Sequence, residues 1–298
     1  MKLLLLGGNG QVGHELRRAL PAVGELVVAT REGADGDSVA DFDAPETLAD
    51  LVRHVAADVV VNAAACTAVD RAERERDETF RVNALAPAAI AQACAATDAL
   101  LLHYSTDYVF DGSASRPYRE DDATAPLGVY GASKLAGEDA IRASGARHAI
   151  LRTAWVYAAH GKNFLRTMLR LAGERDELRV VGDQVGAPTP AAWIADASAR
   201  IIAHGVPAAG TWHLVASGQT SWHGFAEAIM DEALASGLLP RRPRLVSIPT
   251  ADYPTPARRP AYSVLDTTRL QRDFGIAPPD WHEGLRAVIA DLAAGSAG

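Results

Sequence analysis

Three side chains in this sequence could together deliver a proton and steady a developing oxyanion: Tyr130, Lys134 and Thr106. Lys134 stands four positions after Tyr130, a spacing that stacks both side chains on one face of a helix, one turn apart. An ammonium beside a phenol favours the phenolate. The pair is therefore expected to draw the tyrosine pKa from about 10 toward neutrality and make Tyr130 a general acid. Thr106 follows the apolar run 99–104, which reads as a strand, and ligands of open parallel sheets bind beyond the carboxyl ends of strands. Its hydroxyl, with that of Ser105, is thus well placed for a ligand.

The elements before this group supply a nucleotide site. Residues 3–6 are apolar without alternation and read as a buried parallel strand. Next come Gly7-Gly8-Asn9-Gly10-Gln11-Val12-Gly13 and a helical pattern over 15–20 that Pro21 stops. Strand, glycines and helix in that order predict a dinucleotide cradle, with backbone N–H groups at the helix start facing a pyrophosphate. The second strand, 25–30, ends in Thr30-Arg31, with no acid at its tip to hold a ribose 2′-hydroxyl. A hydroxyl followed by a guanidinium suits a 2′-phosphate, so the cofactor is expected to be NADPH, with NADH a possible second. Residues 39–43 read as a short third strand whose Asp41 and Phe42 face an adenine, and Asp43 with Glu46 reads as the capping box of a helix over 44–55. A fourth strand, 58–62, runs into Ala63-Ala64-Ala65, small enough for backbone to lie against a ligand. A helix over 83–96 precedes the fifth strand. The cadence predicts an α/β fold: a Rossmann-type doubly wound parallel sheet with right-handed crossovers.

Composition narrows the class. In 298 residues, 48% are hydrophobic and 22% charged, and the net charge is -8 with a pI near 5.6. That field repels nucleic acid. Two cysteines, Cys66 and Cys94, make neither a disulfide scaffold nor a four-cysteine zinc site and fit a reducing cytoplasm. The apolar opening is too short for a signal peptide or a membrane span. The Ala/Gly/Ser tail 293–298 is expected to fray.

Taken together, Gly7-xx-Gly10-xx-Gly13, Asn62-Ala-Ala-Ala65, Tyr104-Ser-Thr106-Asp107-Tyr-Val-Phe-Asp111-Gly112 and Tyr130-xxx-Lys134 resemble the extended short-chain dehydrogenase/reductases. Within them the chain resembles the dTDP-4-dehydrorhamnose reductase family. The likeness continues through Thr67 to Glu73, Leu151 to Tyr157, Asn163-Phe164, Asp183 to Thr189, Pro254 to Pro260 and Ser263 to Asp266, nearly the whole chain. It implies NAD(P)H-dependent reduction of the 4-keto group of a dTDP-linked 4-keto-6-deoxyhexose. Tyr130 would be the proton donor, Lys134 the residue that lowers its pKa and holds the nicotinamide ribose, and Thr106 the hydroxyl beside the substrate oxygen. Thr106, Asp107 and Trp155 would touch substrate. Gly10, Gln11, Val12, Asp41, Phe42, the Ala63–Thr67 turn and Tyr104 would touch cofactor.

The chain departs from the family's pattern in two places. Cys66 stands where His or Tyr is more usual, and Thr30-Arg31 replaces an acid. Thr106 is followed by Asp107-Tyr108, so the second carboxylate of the related dehydratases is missing. A sister reductase, such as one forming dTDP-dihydrostreptose, would keep every catalytic residue, whereas a non-catalytic NADP-binding regulatory subunit would lose some of them.

Residues 1–156, rejoined by about 190–216, are expected to form the cofactor lobe, with 157–189 and 217–298 closing over the sugar nucleotide. Arg258-Arg259, in a proline-braced loop, suits a diphosphate. A helix over 221–236 is expected in this second lobe, and Asp280 with Glu283 reads as the capping box of the last one. His103, His213 and His223 read as structural, and no spacing supports a protein metal site. A surface Mg2+ bridging acidic residues is left open, as is the choice between monomer and homodimer.

Overall fold

The structure, a computed structural model, describes residues 1–206 and 208–296. Its centre is a parallel seven-stranded sheet built by β1 (Lys2–Leu6), β2 (Glu25–Thr30), β3 (Ser38–Val39), β4 (Val59–Asn62), β5 (Leu100–Thr106) and β6 (His148–Thr153). The seventh strand, β11 (Gly210–His213), arrives much later in the chain. The spatial order is 3-2-1-4-5-6-11, reversing direction between β1 and β4, the crevice where doubly wound sheets bind ligands. Leu3 through Leu6 and all of β5 are buried, because helices cover both faces and no strand needs a polar side.

On one face lie α1 (Gln11–Ala19) and α8 (Ala191–His204). On the other lie α2 (Pro45–Val55), α5 (Ala86–Thr97) and α6 (Val129–Ala143). Before α5 the chain makes a short helix, α3 (Val69–Ala72), and then α4 (Arg76–Phe80), which runs through a π-helical turn over Arg81–Leu85 straight into α5, so the helix expected over 83–96 begins earlier and carries a π turn near its start. The second lobe follows: β7 (Val156–Tyr157), α7 (Phe164–Glu174), β8 (Glu177–Val181), β9 (Val185–Gly186), β10 (Thr189–Pro190), β12 (Thr220–Ser221), α9 (Trp222–Ala235) and β13 (Arg244–Ile248). Its own core joins Tyr157, Leu165, Phe225, Ile229 and Leu285. Asn163 and Ser221 cap α7 and α9 through their side chains.

Four expectations change. β3 is only two residues long, because Asp41 Oδ1 accepts the Asp43 N–H at 2.9 Å and turns the chain. Asp43 does not cap α2: its carboxylate is engaged by Arg31 and Arg81, and Ala44 holds the N-cap position without a side-chain bond. The Asp280 carboxylate accepts from the backbone N–H of His282, while the Glu283 N–H goes to the Asp280 carbonyl, so no reciprocal box forms at α11 (Trp281–Ser296). The tail expected to fray is helical through Ser296, and 297–298 lie outside the described residues.

The lobes also interleave beyond the expected division. In α10 (Thr268–Phe274), Leu270 and Phe274 join the first lobe's core beside Trp212. Among the described residues no helix is long and apolar enough to cross a membrane.

Candidate active site

Gly7 and Gly13 shape the first turn. Gly7 has φ +83°, and a Cβ added there would lie 2.7 Å from the Ala64 nitrogen. One added at Gly13 would lie 2.0 Å from the Gly7 oxygen. The turn is closed only because both lack side chains. Gly10 then holds the N-cap of α1 with no side-chain bond, so the first N–H groups of α1 are left to an anion. On the opposite wall Asn62 Oδ1 accepts from Ala64 N at 3.1 Å and fixes the alanine turn.

A cavity of about 520 Å³ opens there at the carboxyl ends of β1, β4 and β5. It gathers Gly7, Gly10, Gln11, Val12, Ala63, Ala64, Ala65, Thr67, Tyr104, Thr106, Asp107, Tyr130, Lys134 and Trp155, most of the residues singled out in the sequence. A side cleft of about 320 Å³ adds Arg31 and Phe42 next to Ala64 and Thr67. The site's polar backbone turn, narrow glycine approach and separate cleft beside Arg31 fit a dinucleotide.

Not every expected residue joins. Thr30 is buried in the sheet, Gly13 packs on Gly7, and Asp41 uses its carboxylate on the Asp43 turn. Of the arginine pair, Arg258 is exposed. Arg259 lines a neighbouring cavity of about 630 Å³ and holds Asp70 at 2.8 and 3.1 Å.

The chemistry differs from expectation in one respect. Lys134 does not face the Tyr130 hydroxyl: its Nζ donates to the Tyr104 carbonyl at 2.7 Å and lies 3.2 Å from His103 Nε2. A lysine stem is long enough to leave its helix face and reach β5. Burial pushes the Tyr130 phenol up to about 12, with a hydrogen bond from Thr106 opposing. Lys134 is pushed down to about 8 by burial, against the attraction of Glu138. Asp107, also buried, is pushed up to about 6 by burial, with hydrogen bonds from Ser263 and Thr106 opposing, and its Oδ2 has no partner. Thr106 Oγ1 accepts from Tyr108 N at 3.2 Å and donates to Asp107 Oδ1 at 3.0 Å, so its position is set on both sides.

Three supports escaped the sequence reading. Asn83, in the π-helical turn, bonds the backbone of Cys66 in both directions, at 2.9 and 3.0 Å, and donates to Ser133 on α6 at 3.0 Å. It stitches the alanine turn to the helix of Tyr130. Trp222 of α9 stacks on Trp155 with ring centroids 3.5 Å apart and planes 4° from parallel. Lys162, in the connection between lobes, lines the same cavity. An aromatic directly after the Ser221 cap, and a lysine inside Gly161-Lys162-Asn163, were the available signals.

As to cations, the group among the described residues that could converge on one is His14, Glu15 and His160, whose ligand atoms lie within 4.8 Å of one another. Two imidazoles and a carboxylate suit a transition ion better than Mg2+. The third member lies 145 residues from Glu15, out of reach of any spacing rule.

Fold and site define a Rossmann-type oxidoreductase. Comparison with known proteins narrows this. The profile described as RmlD substrate binding domain matches residues 1–294. A dTDP-4-dehydrorhamnose reductase of Burkholderia thailandensis is 49% identical over 301 residues, covering 98% of this chain and 99% of the relative. One of Escherichia coli (strain K12) is 47% identical and covers 98% of each. The solved dTDP-4-dehydrorhamnose reductase of Bacillus anthracis, in complex with NADP, superposes with a TM-score of 0.88 at 31% identity, over 97% of this chain and 99% of that one. The chain belongs to the dTDP-4-dehydrorhamnose reductase family.

Proposed function

We propose that this protein reduces the C4 keto group of dTDP-4-dehydro-L-rhamnose to give dTDP-L-rhamnose, the last step of dTDP-rhamnose formation, with NADPH preferred and NADH accepted. The observation that carries the reading is the convergence of Tyr130, Thr106 and Lys134 on one cavity wall facing the glycine turn. Bound NADPH supplies the hydride. The protein supplies position and proton. Tyr130, a neutral phenol across the physiological range, gives its proton to the carbonyl oxygen as negative charge gathers there, an oxygen far more basic than the phenolate left behind. Thr106, held through Tyr108 N, turns its hydroxyl proton from Asp107 to the same oxygen when substrate is bound.

Lys134, beside Tyr104 O, holds the ribose of the nicotinamide and, when protonated, steadies the phenolate. Asp107, with one oxygen free, accepts from a sugar hydroxyl. Arg31 at the rim of the side cleft receives the 2′-phosphate, and Arg259 lies beyond the Trp155–Trp222 pair on the side where the nucleoside diphosphate leads away. Two free cysteines are compatible with the cytoplasm we infer for this reaction.

The test is to follow NADPH oxidation by the purified chain with dTDP-4-dehydro-L-rhamnose and to identify the sugar by NMR. Stoichiometric formation of dTDP-L-rhamnose is expected. No turnover, or a product reduced elsewhere than C4, overturns the reading.

A further inference from the structure

The residue that most constrains the site's proton inventory is one that the sequence reads as structural. His103, wholly buried on β5, touches two groups: Lys134 Nζ at 3.2 Å from its Nε2 and Asn62 Nδ2 at 3.1 Å from its Nδ1. The orientation of the Asn62 amide is not free, because Oδ1 accepts the backbone N–H of Ala64. Its Nδ2 must therefore donate to His103. Burial, with the charge of Lys134 behind it, holds the imidazole well below its ordinary range, so the ring is neutral and carries a single proton. One ring nitrogen accepts and the other donates.

These constraints close on one arrangement. Nδ1 is the acceptor, Nε2 carries the hydrogen, and that hydrogen points at Lys134. An ammonium there would set a donor against a donor in a buried site. A neutral amine offers its lone pair to Nε2–H and still donates to Tyr104 O. We propose that His103 is a positioning residue for proton delivery: locked by Asn62 into the Nε2–H tautomer, it favours the neutral amine of Lys134 in the free protein and so lowers the pH at which Lys134 gives up its proton.

Other titratable groups also surround Lys134 and Tyr130. Glu138, one turn along α6, attracts a proton to Lys134, but its carboxylate is itself held by Arg152 from β6 at 2.7 Å and by Arg142. From the end of β5 and the alanine turn, Asp107 and Cys66 face Tyr130 and oppose its ionisation. Burial acts on Lys134 in the same direction, lowering it to about 8.

The kinetic consequence rests on the reductase reading. The phenolate left after proton delivery needs the Lys134 ammonium, so kcat/KM should fall as pH rises through the Lys134 pKa, near 8 rather than the ordinary 10.5. Asn62→Asp gives His103 an acceptor for Nδ1–H, makes Nε2 the acceptor and lets Lys134 stay charged. His103→Gln, a neutral replacement, turns its amide oxygen to Lys134 with the same result.

Both variants should move the alkaline limb upward by about one pH unit, a tenfold change in proton affinity. A merely structural histidine would lose stability and kcat with the limb unmoved. A limb unmoved in both variants overturns the proposal. Independently of any substrate, nitrogen-15 NMR of the histidine-labelled wild type should show the His103 signals, assigned by their loss in His103→Gln, as an Nε2-protonated, Nδ1-bare ring at neutral pH. An Nδ1-protonated ring overturns the proposal even if the reductase reading stands; a protein that turns over nothing but shows the Nε2–H ring fails only the functional reading.

Discussion

Tyr130 keeps its proton because burial outweighs everything else around it, and that changes what the residue is expected to do. A phenol drawn toward neutrality would ionise within the working range. One raised to about 12 remains the acid form throughout, and under the proposed mechanism Lys134 becomes the group whose titration limits activity at high pH. Tyr130→Phe removes the proton source but keeps the ring that meets Tyr108 edge-on at 5.5 Å. It should therefore lower kcat by about two to four orders of magnitude. NADPH affinity, measured by fluorescence titration of the same preparation, should hold. A variant with near-wild-type kcat would remove Tyr130 from the mechanism. At this scale the sequence was informative about residue types: tyrosine, lysine and threonine were found because their chemistry is local to each side chain. It could not show where a long lysine stem ends, since the Tyr104 carbonyl and His103 are brought to it by the sheet. Asn83 was missed for the same reason: its partners, Cys66 and Ser133, are 17 and 50 residues away.

The proposed chemistry needs α6 to lie hard against the turn that follows β5, and Gly131 is where they touch. A Cβ at Gly131 would come within 2.2 Å of the Tyr108 carbonyl oxygen and 3.0 Å of the Pro126 ring, and a backbone oxygen cannot step aside like a side-chain tip. Gly131→Ala must move the first turn of α6, and Tyr130 with it, away from Thr106. Overpacking of this kind costs about 1–3 kcal/mol. A displacement near 1 Å at a reacting group costs up to about a hundredfold in rate. Thermal unfolding should show the stability loss and steady-state assays a fall in kcat of at least about tenfold. Unchanged kcat with reduced stability would mean that α6 yields elsewhere.

Elements were legible where packing repeats a pattern. The strands announced themselves as apolar runs because both sheet faces are covered, and α9 began at Ser221, where the expected helix began. They were illegible where side chains had better offers. Asp43 went to Arg31 and Arg81 instead of capping α2, and the π-helical turn exists to deliver Asn83 to Cys66 and Ser133, contacts that no helical periodicity encodes.

At the scale of the whole molecule, the two lobes meet over the cavity through a pair of indoles. Trp155 leaves β6 with φ +48°, a conformation rare for a bulky residue and stored most often at functional positions. Its backbone is braced where Thr189 N donates to its carbonyl at 3.2 Å, and its indole lies over Gly186, where a Cβ would come within 2.5 Å of the ring. That strain aims the ring at Trp222 from α9, on the other side of the seam. Stacking of such a pair contributes about 0.5–1.5 kcal/mol beyond the area it buries. Trp222 lines both the cavity holding Tyr130 and the one beside Arg259, so a sugar nucleotide spanning the two must pass against it. Trp222→Ala should therefore raise KM for the nucleotide sugar by about three- to tenfold, the kinetic equivalent of that stacking energy, with a smaller change in kcat because Tyr130, Thr106 and Lys134 all belong to the other lobe. Trp222→Phe, which keeps an aromatic face, should recover most of the loss. The tryptophan emission of the wild type should respond to dTDP-sugar and that of Trp222→Ala should respond less, since Trp212 lies buried in the first core and reports nothing from the seam. A KM unchanged by Trp222→Ala would mean that the stack only fills space between the lobes, and substrate recognition would then rest on Asp107 and Arg259 alone.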